Sequence, residues 1–321
     1  MGQVTYYIGH SDVKQCGISA ADCVEMVTQS FKMKYESQLP PKISIHPRDD
    51  DFVNTMPCLL PPQYGRMAVK VVSRIVGAEP ALSSTIQLFD SNTGQLLAIL
   101  DGDWITAMRT GAVAALSILT FKHSTAHVVG VMGLGNTARA TVKCLISAWN
   151  GRNPLTLKLL RYKDQAEQFA QEFEEDKSVD FQIVDTIEEL VDNCDALISC
   201  VTSANGLFVP DESILKPGFL LVPVHTRGFQ NCDLTFDKIF GDDRGHVCGF
   251  KYFNQFKVFH EFSEVLLEKV PGRENDDERI ICYNIGLGLH DAFFASIIYD
   301  KIDKTSLPRI VIDKPQGKFW V

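Results

Sequence analysis

Gly133, Gly135 and Ala138 stand in the spacing G-x-G-x-x-A, directly after the apolar run Val128-Val129-Gly130-Val131-Met132. That spacing suits a phosphate. The first glycine permits a tight turn, the second lets the backbone approach a pyrophosphate, and a small third residue lets the next helix sit close to its strand. The N–H groups of that helix's first turn, at Asn136 and Thr137, then meet the anion together with the helix dipole. A glycine turn with no ligand has the same spelling. The position between a buried strand and a helix start is what gives the fingerprint weight, and the ligand it implies is a dinucleotide.

The end of the following strand reads the ribose. An acid about twenty residues past the fingerprint suits the 2′-hydroxyl of NAD, whereas a nearby arginine suits the 2′-phosphate of NADP. Here the chain reads Leu160-Arg161-Tyr162-Lys163-Asp164. Arg161 and Lys163, with Tyr162 between them, are expected to hold a 2′-phosphate, which arginine grips with two prongs. Asp164 is expected to cap the next helix. NADP is therefore the expected cofactor and NAD the alternative; a solvated basic strand end is the plainer reading of the same residues.

These residues need a framework. Residues 20–38 read as a helix with Cys23, Val24, Val27 and Phe31 on one face. Segments 40–47, 53–60, 66–75 and 84–90 read as strands between Pro-, Asp- and Gly-containing breaks. Residues 89–100 read as a hairpin turning at Asn92 and Gly94, and residues 104–119 as an Ala-rich helix. From His127 the texture changes. Strands at 128–132, 155–160, 181–184, 196–200 and 219–224 alternate with helices ending near 149, at 164–174 and at 186–191. Such alternation builds a parallel sheet with crossover helices. Residues 286–302 read as a helix returning to the first lobe.

Composition narrows the class. The chain has 321 residues, 45% hydrophobic and 22% charged, as expected for a folded protein of two domains. A net charge of -9 with no Lys/Arg run disfavours nucleic acid and anionic membrane surfaces. No apolar run reaches the roughly 18 residues of a membrane helix, and the first residues lack a basic and then apolar leader. The 9 cysteines are scattered, with no CxxC pair. Free thiols in a reducing cytoplasm and no metal site are expected.

Several blocks in order along the chain resemble the ornithine cyclodeaminase/mu-crystallin family. The strongest is Leu97-Ala98-Ile99-Leu100-Asp101 followed by Thr106 and Arg109-Thr110-Gly111-Ala112. Met56-Pro57, Ala68-Val69-Lys70-Val71-Val72-Ser73, the glycine fingerprint and Gly286-Leu287-Gly288-Leu289-His290-Asp291 also match that family's pattern. The resemblance implies an α/β protein: a Rossmann-type parallel-sheet domain, residues 124–302, inserted in a discontinuous α+β substrate-binding and dimerisation domain, residues 1–123 and 303–321. A homodimer is implied.

The resemblance also assigns residues. Lys70 matches a family lysine and Arg109 a family arginine that surround a substrate carboxylate, and both are expected to be catalytic. A second family arginine falls on Lys42, which keeps the charge without the planar fork. Met56, His225 and Arg227 are further expected substrate contacts; Thr110, Val201, Thr202 and Gly288 join the fingerprint as cofactor contacts. A carboxylate so held presents its α-carbon to the nicotinamide. Lys70, in an apolar strand, is expected to exchange a proton with an imine or amine at a lowered pKa; an isolated strand lysine is equally an edge residue with its ammonium in water. True cyclodeaminases carry an Asp after the strand that here ends at Val224, and this chain has His225-Thr226-Arg227 instead.

The leading expectation is an NAD(P)H-dependent oxidoreductase that reduces a cyclic or opine-type imine beside a carboxylate, or the reverse amino-acid dehydrogenation. A cyclodeaminase with internally recycled cofactor is the second, separable by whether NADPH is consumed. A non-catalytic protein that holds NADP and a small ligand is the third, separable by tight binding without hydride loss.

Overall fold

The computed structural model describes residues 3–224 and 228–313. In chain order, β1 (Gln3–Ile8), α1 (His10–Gln15) and α2 (Ala20–Lys32) come first. Strands β2 (Ile43–Ile45), β3 (Phe52–Leu59), β4 (Arg66–Arg74), β5 (Leu82–Asp90) and β6 (Leu96–Asp101) lead to the long α3 (Asp103–Phe121). Then come β7 (Val128–Met132), α4 (Asn136–Ser147), β8 (Leu155–Leu160), α5 (Gln165–Glu172), β9 (Val179–Val184), α6 (Ile187–Val191), β10 (Ala196–Ser199) and β11 (Leu220–Pro223). The chain continues through β12 (Lys238–Gly241), α7 (Arg244–Val247), β13 (Phe259–Glu261), α8 (Phe262–Leu266), β14 (Ile280–Tyr283), α9 (Gly288–Lys301) and β15 (Arg309–Ile312).

Two compact units result: Met1–Ser19, Met33–Thr106 and Leu287–Val321 in the first, Ala20–Lys32 and Ala107–Gly286 in the second. The expected boundaries lay at 123 and 302. The structure divides the chain elsewhere because α2 turns its apolar stripe onto α4 and α8, with Phe31 and Phe262 rings 4.9 Å apart, whereas α9 lies on β3, β4 and β5.

The first unit holds a seven-stranded mixed sheet in the order β15-β1-β6-β5-β4-β3-β2. Its inward face alternates as half-buried strands do: Met56 and Cys58, Ala68 and Val72, Ile86 and Leu88, Ala98 and Leu100 are buried. The buried face of α9, including Leu289, Phe293 and Phe294, covers the middle strands. The hairpin expected at 89–100 forms between the longer β5 and β6, Asp90 accepting from the amides of Asn92 and Thr93 at its turn.

The second unit holds eight strands in the order β13-β12-β14-β11-β10-β7-β8-β9, every pairing parallel. The order runs outward from β7 to β8 and β9 on one side and to β10 and β11 on the other, so the topological switch lies between β7 and β10. Helix α3 is long and apolar enough to cross a membrane by length and composition alone, which no expectation from the unbroken apolar runs had allowed. Two thirds of it is buried, Ala112, Ala114, Ala115, Ile118 and Phe121 completely, so its apolar length goes into core packing. Gly111 is the point of closest approach to α4: a Cβ there would stand 2.5 Å from the Ala140 and Thr141 backbone.

Candidate functional site

The glycine turn leaves β7 at the switch of the parallel sheet. Gly133 has φ 80, and a Cβ on it would meet the Cys200 carbonyl carbon and the Val201 nitrogen at 2.6 Å. Two facts therefore demand glycine: the left-handed backbone and the chain leaving β10 pressed against it. Val201 and Thr202 lie in that adjoining chain. Gly135 differs. Its backbone is extended, φ -84 and ψ -166, and a Cβ there would meet nothing within 4 Å. The space over Gly135 is open, and no side chain caps α4. The leading amides of a helix have no intrahelical acceptor, so those of Asn136 and Thr137 are available to an anion. Ala138 is fully buried, the small third position. A pyrophosphate fits this cradle.

Arg139, which the sequence reading passed over, supports the turn from α4. Its guanidinium donates to the Leu134 carbonyl and, through Nε, to Glu172 at 2.9 Å. A cation in a helix's first turn opposes the dipole, so its presence there signals a local task.

Arg161 is the first residue past β8, as the ribose rule requires. Its surroundings are more acidic than the local sequence suggests. Nε donates to Asp185 at 2.6 Å, and Nη1 pairs with Glu167. Tyr162 is 59% exposed, and Lys163, at φ 53, holds its ammonium 5.4 Å from the Tyr162 ring centre. Asp164 stands at the N-cap of α5 but makes no side-chain cap, a correction to its expected role. Its near-helical backbone, φ -94 and ψ 8, turns the carboxylate toward Gln168, from which it accepts at 2.9 Å.

Arg109 sits on α3, 6% exposed, with Thr110 beside it half-buried. Gly286, at φ 98, lies against the guanidinium: a Cβ there would come within 2.7 Å of Nη1. Asp242, after β12, fixes that turn by accepting from the amides of Ile285 at 2.8 Å and Gly286 at 2.5 Å.

In the first unit, Lys70 lies in the centre of the sheet's buried face. Its cross-strand partners are Met56 and Ile86, and its side chain is 0% exposed. It is not an edge lysine: β4 runs between β3 and β5. Its Nζ stands 2.6 Å from Asp291 Oδ2 on the first turn of α9. Burial, with the Asp291 charge adding to it, pushes the nearby Cys58 thiol up to about 12. The sequence had marked Asp291 as part of a motif but not as the partner of Lys70. Gly288 packs on β3, where a Cβ would meet the Met56 and Pro57 carbonyl oxygens at 3.2 and 3.3 Å. Lys42 is half-buried just before β2. His225, Thr226 and Arg227 lie outside the described residues.

A wholly parallel sheet with a glycine turn at its switch and an open helix start after it defines a protein of the Rossmann class, here with a second, mixed-sheet unit. The chain belongs to the ornithine cyclodeaminase/mu-crystallin family, whose sequence profile matches residues 8–306. It is 27% identical over 284 residues to nodulation efficiency protein NfeD of Rhizobium meliloti, covering 85% of this chain and 87% of that protein. To ketimine reductase mu-crystallin of Macropus fuliginosus it is 24% identical over 231 residues, covering 69% and 70%. Among solved structures, Thermococcus litoralis Delta(1)-pyrroline-2-carboxylate reductase in complex with NADH and L-proline shares the fold with a TM-score of 0.80. That likeness carries 23% identity and covers 92% of this chain and 97% of the other.

Proposed function

We propose that the protein is a nicotinamide-dependent reductase of imines that carry an adjacent carboxylate, working in either direction between imine and amino acid. The observation that carries this reading is the phosphate cradle: a left-handed Gly133 that accepts no Cβ, beside a Gly135 with open space before an uncapped helix. The relatives named for ketimine and pyrroline-carboxylate reduction support the substrate class.

When bound, the reduced nicotinamide supplies a hydride. In this reading the chain's own residues bind, orient and move protons. Gly133, Gly135, Asn136, Thr137 and Ala138 hold the pyrophosphate, and Thr110, Val201, Thr202 and Gly288 complete the cofactor contacts. Arg161, Tyr162 and Lys163 meet the ribose end, NADP being the first cofactor on their basic character and NAD the second. Arg109 grips the substrate carboxylate with its guanidinium, and Gly286 has no Cβ to push that group aside. Lys42 adds a second positive charge. Lys70 holds a charge and a transferable proton on its Nζ, while Asp291 fixes that Nζ and balances it. Met56 lines the apolar surroundings of Lys70, and His225 and Arg227 read the remainder of the substrate. We further propose a cytoplasmic homodimer.

The chain has no acid from 225 to 232, which leaves ring-closing deamination without its expected carboxylate and favours simple reduction. Loss of NADPH absorbance with a five- or six-membered cyclic ketimine carboxylate is the expected result. Turnover of ornithine with no net cofactor change, or tight NADPH binding with no oxidation across imine and keto-acid/amine substrates, would overturn it.

A further inference from the structure

The Arg161 guanidinium offers a bound anion two two-pronged edges, Nε with Nη2 and Nη1 with Nη2. In the structure each edge has already given one prong to a carboxylate. Asp185, just past β9, takes Nε at 2.6 Å, and Glu167, in the first turn of α5, takes Nη1. A 2′-phosphate that seeks the two-pronged grip must displace one of these carboxylates or settle for Nη2 alone. It also arrives beside two negative charges. The local sequence does not show this pairing, because Asp185 reaches Arg161 from the end of the neighbouring strand and Glu167 from the first turn of α5.

We propose that Glu167 and Asp185 are specificity-determining residues for the cofactor's 2′ position: they act as built-in competitors of a 2′-phosphate for Arg161 and hold down the preference for NADPH over NADH. This rests on the dinucleotide reading given above. An adenosine ribose with a free 2′-hydroxyl brings no charge to repel either carboxylate, so NADH responds to them much less than NADPH does. All three side chains are partly exposed, Arg161 40%, Glu167 49% and Asp185 67%, so the effect is moderate and weakens with salt.

Equilibrium titration of NADPH and NADH by nucleotide fluorescence at low salt tests this without turnover, using the parent, Asp185→Asn, Glu167→Gln, the double variant and each change in an Arg161→Ala background. Removing one carboxylate is expected to tighten NADPH about fivefold and to leave NADH within about twofold, the double variant exceeding either single one. The gain should shrink in the Arg161→Ala background, since the competition is for that group. Unchanged NADPH-to-NADH ratios in the neutral variants, equal shifts for both nucleotides, or a full gain without Arg161 would each overturn the proposal while the dinucleotide reading stands. A parent chain that binds neither nucleotide overturns both. The substituted side chains are surface groups, so unfolding midpoints matching the parent are expected as the control.

Discussion

Lys70 and Asp291 come from opposite ends of the first unit's sequence and meet in a face otherwise made of Met56, Ala68, Val72, Ile86 and Leu88. Taking two such ions out of water costs several kcal/mol each, and well-packed apolar replacements are often neutral or better for stability. Stability alone therefore gives little reason to keep the pair there. Breaking it from one side is another matter, because a buried charge then loses the counter-ion that stands 2.6 Å from it. Asp291→Asn and Lys70→Met, each made singly, are expected to lower the unfolding free energy by about 3 kcal/mol. Lys70→Met with Asp291→Leu should recover most of that stability but none of the activity. Urea unfolding of the three variants measures it; single variants within about 0.5 kcal/mol of the parent would defeat the argument. Lys70 was legible in the sequence through its family block. Its partner was not, since nothing along the chain says that a residue of the last helix lies over a strand from the first third. The same holds for Arg161, whose basic neighbours are sequential and whose acidic neighbours are spatial.

At the scale of elements, the β7–α4 turn separates two roles for glycine. Gly133→Ala forces a left-handed φ on alanine and drives a Cβ to 2.6 Å from backbone, which has no flexible end to yield. It is expected to destabilise the protein by about 2 kcal/mol or more. Gly135→Ala places its Cβ in open space on a backbone alanine accepts, so stability should stay within about 0.5 kcal/mol, while dinucleotide affinity falls about tenfold or more as the methyl fills the pyrophosphate's place. Thermal unfolding beside fluorescence titration of both variants separates the two effects. Gly135→Ala binding like the parent would remove the cradle. This turn was legible because its strand, glycines and helix are contiguous. Strands β7 and β8 fall at the residues expected from their apolar runs. Strands β12, β13 and β14 were not foreseen: at 4, 3 and 4 residues they show no period, and, unlike the equally short β10 and β11, they were not picked out as apolar runs. Strands β1 and β15 escaped for a related reason, since each is defined by its partner at the sheet's edge.

For the molecule as a whole, the sequence showed two lobes and a return of the chain to the first, but not which helix packs with which sheet. Buried carboxyls of opposite character in the second unit then shape its response to acid. Burial alone would raise Asp195; hydrogen bonds from His123, Lys216 and the Val128 and His127 amides outweigh it and hold the carboxyl well below its usual range. Its contribution is present above the ordinary carboxyl pKa and is lost as pH falls. Asp233 is the reverse. Burial raises it from 3.8 to about 6, against the lowering effect of the Tyr283 hydroxyl that donates to it at 2.5 Å. Burial likewise pushes that hydroxyl well above its ordinary value, so it remains a donor. Because the folded state holds the Asp233 proton more tightly than the unfolded chain, the stability due to that proton is complete below 3.8 and is lost as pH rises through about 6. A shift of that size corresponds to about 3 kcal/mol. Asp233→Asn keeps an acceptor for Tyr283 and carries no charge to bury. It is expected to stabilise the protein by about 2 to 3 kcal/mol at neutral pH and to leave it nearly unchanged near pH ~3.5, where the parent's carboxyl is protonated in the folded state and mostly so in the unfolded chain. Urea unfolding at the two pH values reads the difference directly. An equal gain at both would mean that shape, not the ionisation of Asp233, separates the variant from the parent.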